Sequence, residues 1–171
     1  ITLKEVFRLT RRLRKKGFRP PIVLLSYYNP IFRFGEKRFV EEAKESGIDG
    51  VVVPDLPVEE ASTLASYGKK KGFHVIFLVA PTSDRSRRQK IVRKGGGFLY
   101  YVSVTGTTGM RKRLPAELVR DVRSLKKITR LPVCVGFGVS TPAMARKISR
   151  ASDGVIVGSA IVQKLEKEMV R

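Results

Sequence analysis

The chain has 171 residues, 42% of them hydrophobic, which is enough for one globular domain with a real core and excludes a disordered or fibrous chain. Its 35 Lys and Arg against 15 Asp and Glu give a formal charge of +20, a balance that attracts polyanions or acidic partners. The single cysteine excludes a disulfide framework, and nothing in the sequence resembles a transmembrane span.

In chain order, the first pattern is helical. Thr2 with Glu5 spells a capping box, and Glu5, with no small-residue cleavage site after it, argues against a signal peptide. A strand is expected over Ile22–Ser26. It ends in Tyr27-Tyr28-Asn29-Pro30-Ile31-Phe32, where proline and asparagine break the strand. The aromatics there either stack on a flat ring or pack as a surface loop. Phe39, Val40 and Ala43 mark a helical face. The next strand, Val51–Val53, runs into Pro54-Asp55-Leu56-Pro57. Asp55 stands where a barrel enzyme holds a catalytic carboxylate, but a cap on the following helix, whose first turn would continue to Glu59-Glu60, is the preferred reading.

His74 opens the strand Val75–Ala80 and reads as structural. Phe98–Val102 is followed by Ser103-Val104-Thr105-Gly106-Thr107-Thr108-Gly109, with two glycines and four hydroxyl residues in seven positions, a composition suited to a lid over a phosphoester. Met110-Arg111-Lys112-Arg113 could attract an anionic substrate. Leu118, Val119, Val122, Leu125 and Ile128 mark another helical face. The strand Pro132–Val135 contains Cys134, read as a buried, inert thiol. It leads into Val135-Gly136-Phe137-Gly138-Val139-Ser140, after which Thr141-Pro142 places proline at the first helical position. The last strand, Gly154–Val157, leads into Gly158-Ser159-Ala160. Asp49 and Asp153 precede strands and read as residues of the stability face.

These strands recur roughly every 22 to 35 residues, as in a parallel sheet of βα units. A doubly wound sheet and a barrel both fit the alternation. Glycine and polar residues gather at the strand C-terminal ends, which favours an α/β fold of the TIM (β/α)8 barrel family. Here it would be an incomplete barrel of about six βα units in a single domain over 1–171, since closure takes eight strands. The two glycine-ended strands would present backbone N–H groups and helix N-termini to one spot, which suits a small phosphorylated substrate. No metal-ligand cluster, Walker loop or Ser-His-Asp set occurs. The basic residues are dispersed over Arg11-Arg12, Arg14-Lys15-Lys16, Lys69-Lys70-Lys71, Arg87-Arg88 and Arg111-Lys112-Arg113. They read as solvated faces of an enzyme, offset by acidic residues outside this chain, and no nucleic-acid motif accompanies them.

The motifs Pro21-Ile22-Val23-Leu24-Leu25-Ser26-Tyr27-Tyr28-Asn29-Pro30-Ile31-Phe32, Val53-Pro54-Asp55-Leu56-Pro57, Phe77-Leu78-Val79-Ala80-Pro81-Thr82, Tyr100-Tyr101-Val102-Ser103, Thr105-Gly106-Thr107-Thr108-Gly109 and the two glycine signatures together resemble the tryptophan synthase alpha chain family, nearly end to end. The resemblance implies a (β/α)8 barrel lyase that splits indole-3-glycerol phosphate into indole and glyceraldehyde 3-phosphate in tryptophan biosynthesis. It implies no cofactor in this chain, and a partner beta chain that receives the indole and uses pyridoxal phosphate. By position, Gly109, Gly138, Gly158 and Ser159 would hold the phosphate, and Tyr27, Tyr100 and Phe137 would surround the indole or glycerol portion. Thr108 would belong to the lid, and Asn29, Phe32, Asp55 and Pro57 would face the partner. No metal is implied, no membrane, and a cytoplasmic location, or a plastid if the source is a plant or alga.

The family's catalytic glutamate and aspartate have no match here; both are expected upstream of Ile1. Asp55 is the nearest substitute by location, but the family keeps that residue alongside the true pair. The charge and the basic lid continuation also depart from the family. One rival is a non-catalytic, truncated paralogue that binds a phosphorylated ligand or nucleic acid. Another is a sugar-phosphate isomerase or epimerase barrel, against which the aromatic set and the lid speak. Six strands leave open edges, so the chain is expected to associate or to be completed by a further segment.

Overall fold

The computed structural model describes residues 1–102, 116–136 and 138–169. The expected lid with Thr108 and Gly109, its basic continuation, and Phe137 lie outside the described residues. Two compact units emerge, Ile1–Phe77 with Arg93–Gly97, and Leu78–Val92 with Phe98–Arg171.

The first unit opens with α1 (Leu3–Lys15). Its capping box forms as expected: Thr2 Oγ1 accepts the Glu5 N–H at 3.3 Å and Glu5 Oε2 accepts the Thr2 N–H at 2.7 Å. Then come β1 (Val23–Leu25), α2 (Tyr28–Phe34), α3 (Glu36–Glu45), β2 (Gly50–Val52), α4 (Ser62–Lys71) and β3 (His74–Ile76). The strands form a parallel sheet in the order β1-β2-β3. The helices bury their apolar stripes through a run of rings, Phe7 on Phe39 at 6.1 Å and Phe39 on Phe73 at 5.9 Å. Ile31, Val40, Ala43, Ile48 and Leu64 fill in around them, each with no exposure. A fully buried side chain of the valine-to-phenylalanine class contributes roughly 1.5–3 kcal/mol, so this cluster is the main source of cohesion in the unit.

The second unit holds β4 (Leu78–Val79), α5 (Arg85–Lys94, whose last two residues cluster with the first unit), β5 (Leu99–Val102), α6 (Ala116–Lys126), β6 (Val133–Gly136), α7 (Pro142–Ser149), β7 (Gly154–Ile156) and α8 (Ser159–Met169). Its parallel sheet runs β4-β5-β6-β7, with Tyr100 opposite Cys134 and Gly136 opposite Ile156. Tyr101 is its largest buried side chain. The Tyr101 hydroxyl donates to Asp121 Oδ2 at 2.8 Å, and Arg88 lies 3.4 Å from the same oxygen. Burial and this carboxylate push the Tyr101 phenol well above its usual range.

The same strand-start device appears once in each unit. Asp49 donates its N–H to Ile22 O and accepts the Ile22 N–H on Oδ2, both at 2.8 Å. Asp153 does the same for Val133, at 2.9 and 3.0 Å. Each carboxylate is also held by a cation, Arg14 at 2.8 Å and Lys126 at 2.6 Å. The Lys126 bond, then the Val133 N–H, lowers the Asp153 carboxyl below its usual value. Both aspartates therefore stabilise strand starts, at the end away from the strand exits.

Parallel strands alternating with helices are the architecture of the TIM (β/α)8 barrel family, present here as open sheets among the described residues. Four expectations change in detail. The run Val75–Ala80 divides at Phe77 into β3 and β4, the last strand of one sheet and the first of the other. The stretch from Tyr28 is not a loop but α2; Pro30 sits in its first turn, where no intrahelical N–H bond is lost. Glu59 and Glu60 precede α4 rather than opening it. Ile128 lies past the end of α6 and is 41% exposed, because the helical stripe stops at Lys126. No helix among the described residues is long and apolar enough to cross a membrane.

Candidate functional site

The candidate residues of each unit gather at strand exits. In the first unit, β1 leads through Ser26 and Tyr27 into α2. Tyr27 occupies the N-cap of α2 but offers no side-chain bond to it. The cap comes instead from the exit of β2: Asp55 Oδ1 and Oδ2 accept the Tyr28 N–H at 2.9 and 3.1 Å. A carboxylate here satisfies an orphan donor and faces the positive end of the helix. Asp55 is thus a cap, but of α2 and not of the helix that follows it in sequence.

This bond draws Asp55 to the start of α2, where Asn29 and Phe32 follow on the outer surface. Asn29 and Asp55 are exposed, Phe32 is 64% exposed and packs its ring on Tyr28 at 5.7 Å. The Tyr28 hydroxyl donates to Glu36 Oε1 at 3.2 Å, and burial together with Glu36 raises its phenol pKa. Pro57 is half-buried between the buried Leu56 and Val58. The four residues expected to face a partner therefore belong to one short region of the unit, and Tyr27, 72% exposed, lies at its start.

In the second unit, β5, β6 and β7 end together. Tyr100 is half-buried, and burial raises its phenol pKa. Its ring lies over Gly136: a Cβ added there would fall 2.6 Å from Tyr100 Cε2, 2.7 Å from its hydroxyl and 2.9 Å from Ile156 Cβ. Only glycine lets the ring approach the β6 backbone this closely. Two residues on, Gly138 has φ +71°, the left-handed region that favours glycine. Thr141 then caps α7 by accepting the Met144 N–H at 3.2 Å, with Pro142 in the first turn as expected.

Gly158 is different. An added Cβ would meet nothing within 4 Å, so neither crowding nor backbone conformation requires glycine there. Its lack of a side chain leaves the space before α8 open. Ser159 begins that helix, and both Gly158 and Ser159 are exposed. Exposed first-turn N–H groups of this kind bind anions. The structure thus brings Tyr100 against Gly136 and leaves the start of α8 accessible. Gly136 and Ile156 complete this packing; each stood in one of the two glycine-ended strands of the sequence, but nothing local paired them.

The remaining chemically interesting groups have structural roles. At the exit of β4, Asp84 Oδ1 accepts the Arg87 N–H at 2.8 Å and caps α5. Cys134 is half-buried rather than fully buried, its Sγ filling the space left by Gly154, and burial raises its thiol pKa. His74 lies at the start of β3 with its ring against Gly96 and Gly97. Among the described residues no group of three His, Cys, Asp or Glu could hold a metal ion. The arrangement provides anion-accepting backbone and an aromatic wall, and its strand-exit carboxylates are occupied by helix N-termini.

Comparison with known proteins places these features in context. The family model of the tryptophan synthase alpha chain matches residues 1–171. The tryptophan synthase alpha chain of Methanocaldococcus jannaschii is 47% identical over 165 residues, 96% of this chain and 59% of that protein. That of Geobacillus kaustophilus is 46% identical over 167 residues, 98% of this chain and 62% of that protein. Among solved structures, tryptophan synthase subunit alpha from Legionella pneumophila superposes with a TM-score of 0.86 at 35% identity, covering 98% of this chain and 61% of that one. A chain of the tryptophan synthase α2β2 complex from Pyrococcus furiosus does so at 0.85 and 38% identity, covering 98% of this chain and 67% of that one. The chain spans about three fifths of the length of the curated relatives it matches.

Proposed function

Because the chain belongs to the tryptophan synthase alpha chain family, we propose that it forms the substrate-holding part of a lyase that cleaves indole-3-glycerol phosphate to indole and glyceraldehyde 3-phosphate in tryptophan biosynthesis. The observation that carries this reading is the family match over all 171 residues. In this reading Gly109, Gly138, Gly158 and Ser159 take the phosphate, which the open space at Gly158 and the start of α8 support. Tyr27, Tyr100 and Phe137 flank the indole or glycerol portion, and Thr108 belongs to the closing lid.

The retro-aldol step breaks the bond between the indole ring and the glycerol chain. The ring carbon takes up a proton, and the glycerol hydroxyl loses one as its carbon becomes the aldehyde. Asp55 and Asp84 are engaged by helix N-termini, and in this reading the acid and the base come from outside these 171 residues. The reading asks for no cofactor in this chain. Its partner is a beta chain that carries pyridoxal phosphate, docked through Asn29, Phe32, Asp55 and Pro57, in the cytoplasm. The Pyrococcus furiosus relative is part of an α2β2 complex, which supports such a partner.

The test measures indole release by the chain alone and with an added N-terminal segment of the Methanocaldococcus relative. Calorimetric binding of indole-3-propanol phosphate, which lacks the reacting hydroxyl, runs beside it. The chain alone binds the analogue without turnover, and the segment restores cleavage. Turnover by the chain alone refutes the missing acid and base. Binding of a triose phosphate but not of the analogue refutes the indole site and favours a sugar-phosphate enzyme.

A further inference from the structure

We propose that Arg88 is a positioning residue for the Tyr100 wall: with Asp121 and Tyr101 it forms a relay, on the helix side of the second unit's sheet, that fixes the exit of β4 beside that ring. The relay stands on its own geometry. Only the claim that the wall flanks an indole ring rests on the function proposed above.

The ladder between β4 and β5 places Leu78 opposite Tyr100 and Val79 opposite Tyr101. Successive side chains of a strand take opposite faces, so Tyr100 and Tyr101 serve different sides of the sheet. Tyr100 lies over Gly136, whereas Tyr101, 1% exposed, reaches Asp121 of α6. The Asp121 oxygen that accepts this hydroxyl at 2.8 Å also faces Arg88 Nη2 at 3.4 Å. Arg88 stands on α5, and its guanidinium reaches back to the turn that follows β4. Nε donates to Ser83 O at 2.9 Å, and Nη2 donates to Pro81 O at 3.2 Å. The turn is closed by its own bonds: the Ser83 N–H donates to Ala80 O at 3.0 Å, and the Ala80 N–H donates to Ser83 Oγ at 3.2 Å. The β4 exit, β5 and α6 are therefore joined through one guanidinium.

Stability alone does not account for this arrangement. The Arg88 and Asp121 side chains are 13% and 21% exposed, and an ion pair so withdrawn from water is often no more stable than apolar side chains of the same volume. What apolar side chains would not supply is direction. A planar guanidinium presents its donors at fixed angles. Here they hold two carbonyls of one turn and face the carboxylate that Tyr101 anchors. Releasing this grip frees the turn next to Leu78 and Val79, the strand neighbours of Tyr100 and Tyr101, and with it one side of the wall. The expected phosphate end, at Gly158 and Ser159 beyond β7, lies two strands from β5 and shares none of these bonds.

The test removes the relay without leaving a buried charge. In the triple variant Arg88→Met, Asp121→Leu, Tyr101→Phe the three polar groups become apolar together, so urea unfolding stays close to that of the parent. Arg88→Lys, a second variant, keeps the charge beside Asp121 but loses the fork. Nuclear magnetic resonance reads the positioning directly. In both variants amide exchange at Ser83 quickens roughly tenfold, and the Gly136 α-protons, shifted by the Tyr100 ring in the parent, move toward their ordinary position. Calorimetry reads the consequence: affinity for indole-3-propanol phosphate falls roughly tenfold, while affinity for glycerol phosphate is retained. Parent-like Ser83 and Gly136 signals in the variants, full rescue by Arg88→Lys, unchanged affinity for the indole analogue, or equal loss of both ligands would each overturn the proposal. A parent chain that binds no indole analogue refutes the function proposed above instead, and the Ser83 and Gly136 signals then decide the relay alone.

Discussion

Replacing Gly136 by alanine tests the central contact of the second unit. The new methyl would lie 2.6 Å from Tyr100 Cε2, 2.7 Å from its hydroxyl and 2.9 Å from Ile156 Cβ. Carbon atoms rest at about 3.5–4.0 Å, so β6 must give by close to 1 Å toward both neighbours at once. Gly136 is buried, lies in register with Val102 and Ile156, and is flanked by strands on both sides, so the strain cannot relax into solvent. Overpacking of this kind costs roughly 1–3 kcal/mol, equivalent to a fall in Tm of about 2–12 °C for a protein of this size. Thermal unfolding gives the total, and amide exchange in β5 and β6 localises it to the second unit. In a Tyr100→Ala background the penalty shrinks, because two of the three close contacts vanish. A Gly136→Ala protein within about 0.5 kcal/mol of its parent, or a penalty unchanged without the Tyr100 ring, would refute the reasoning.

Gly158→Ala has the opposite signature: unfolding is unaffected or shifts slightly upward, as for alanine at a compatible glycine position, while calorimetric affinity for a glycerol phosphate analogue drops roughly tenfold. Asp55→Ala removes the distant cap of α2 and costs about 1 kcal/mol, with faster amide exchange over Tyr28–Phe34 as the local readout; unchanged exchange there would show the cap to be idle. At alkaline pH, the raised Tyr101 pKa means that the folded chain keeps a proton the unfolded chain loses. Stability from this group is therefore complete below the ordinary phenol range near pH 10 and declines as pH rises above it. Tyr101→Phe, followed by urea unfolding across that range, should flatten the decline.

Features that depend on neighbouring residues were legible in the sequence. Thr2 and Glu5 are three residues apart and form their box; Thr141 and Pro142 start α7; the glycine turn at Gly138 adopts the conformation glycine permits. What escaped depends on distance along the chain. Asp55 caps a helix 27 residues before it, and no local pattern tells that carboxylate which of two helix starts it will meet. The β-branched run through Phe77 reads as one strand, because hydrophobic periodicity does not record where a ladder changes sheets. Asn29-Pro30 reads as the break after a strand, which does end at Leu25, but the pair then enters a helix, because proline is tolerated in a first turn. In the site, the glycine signature was visible, but the reason for Gly136 lies in Tyr100 and Ile156 on the two flanking strands.

In both sheets each strand bonds only to the strands next to it in sequence, β1-β2-β3 and β4-β5-β6-β7. Every pairing closes over one or two intervening helices, and none waits for a distant part of the chain. Each step closes a shorter loop than a pairing across the whole chain would, and so costs less chain entropy. On a ribosome, each new strand finds the edge of its predecessor already exposed and in register, so the sheet can lengthen in step with synthesis. The same economy has a hazard: until its successor emerges, every strand in turn is an open edge, and a stall in translation would hold a hydrogen-bonding template in solution.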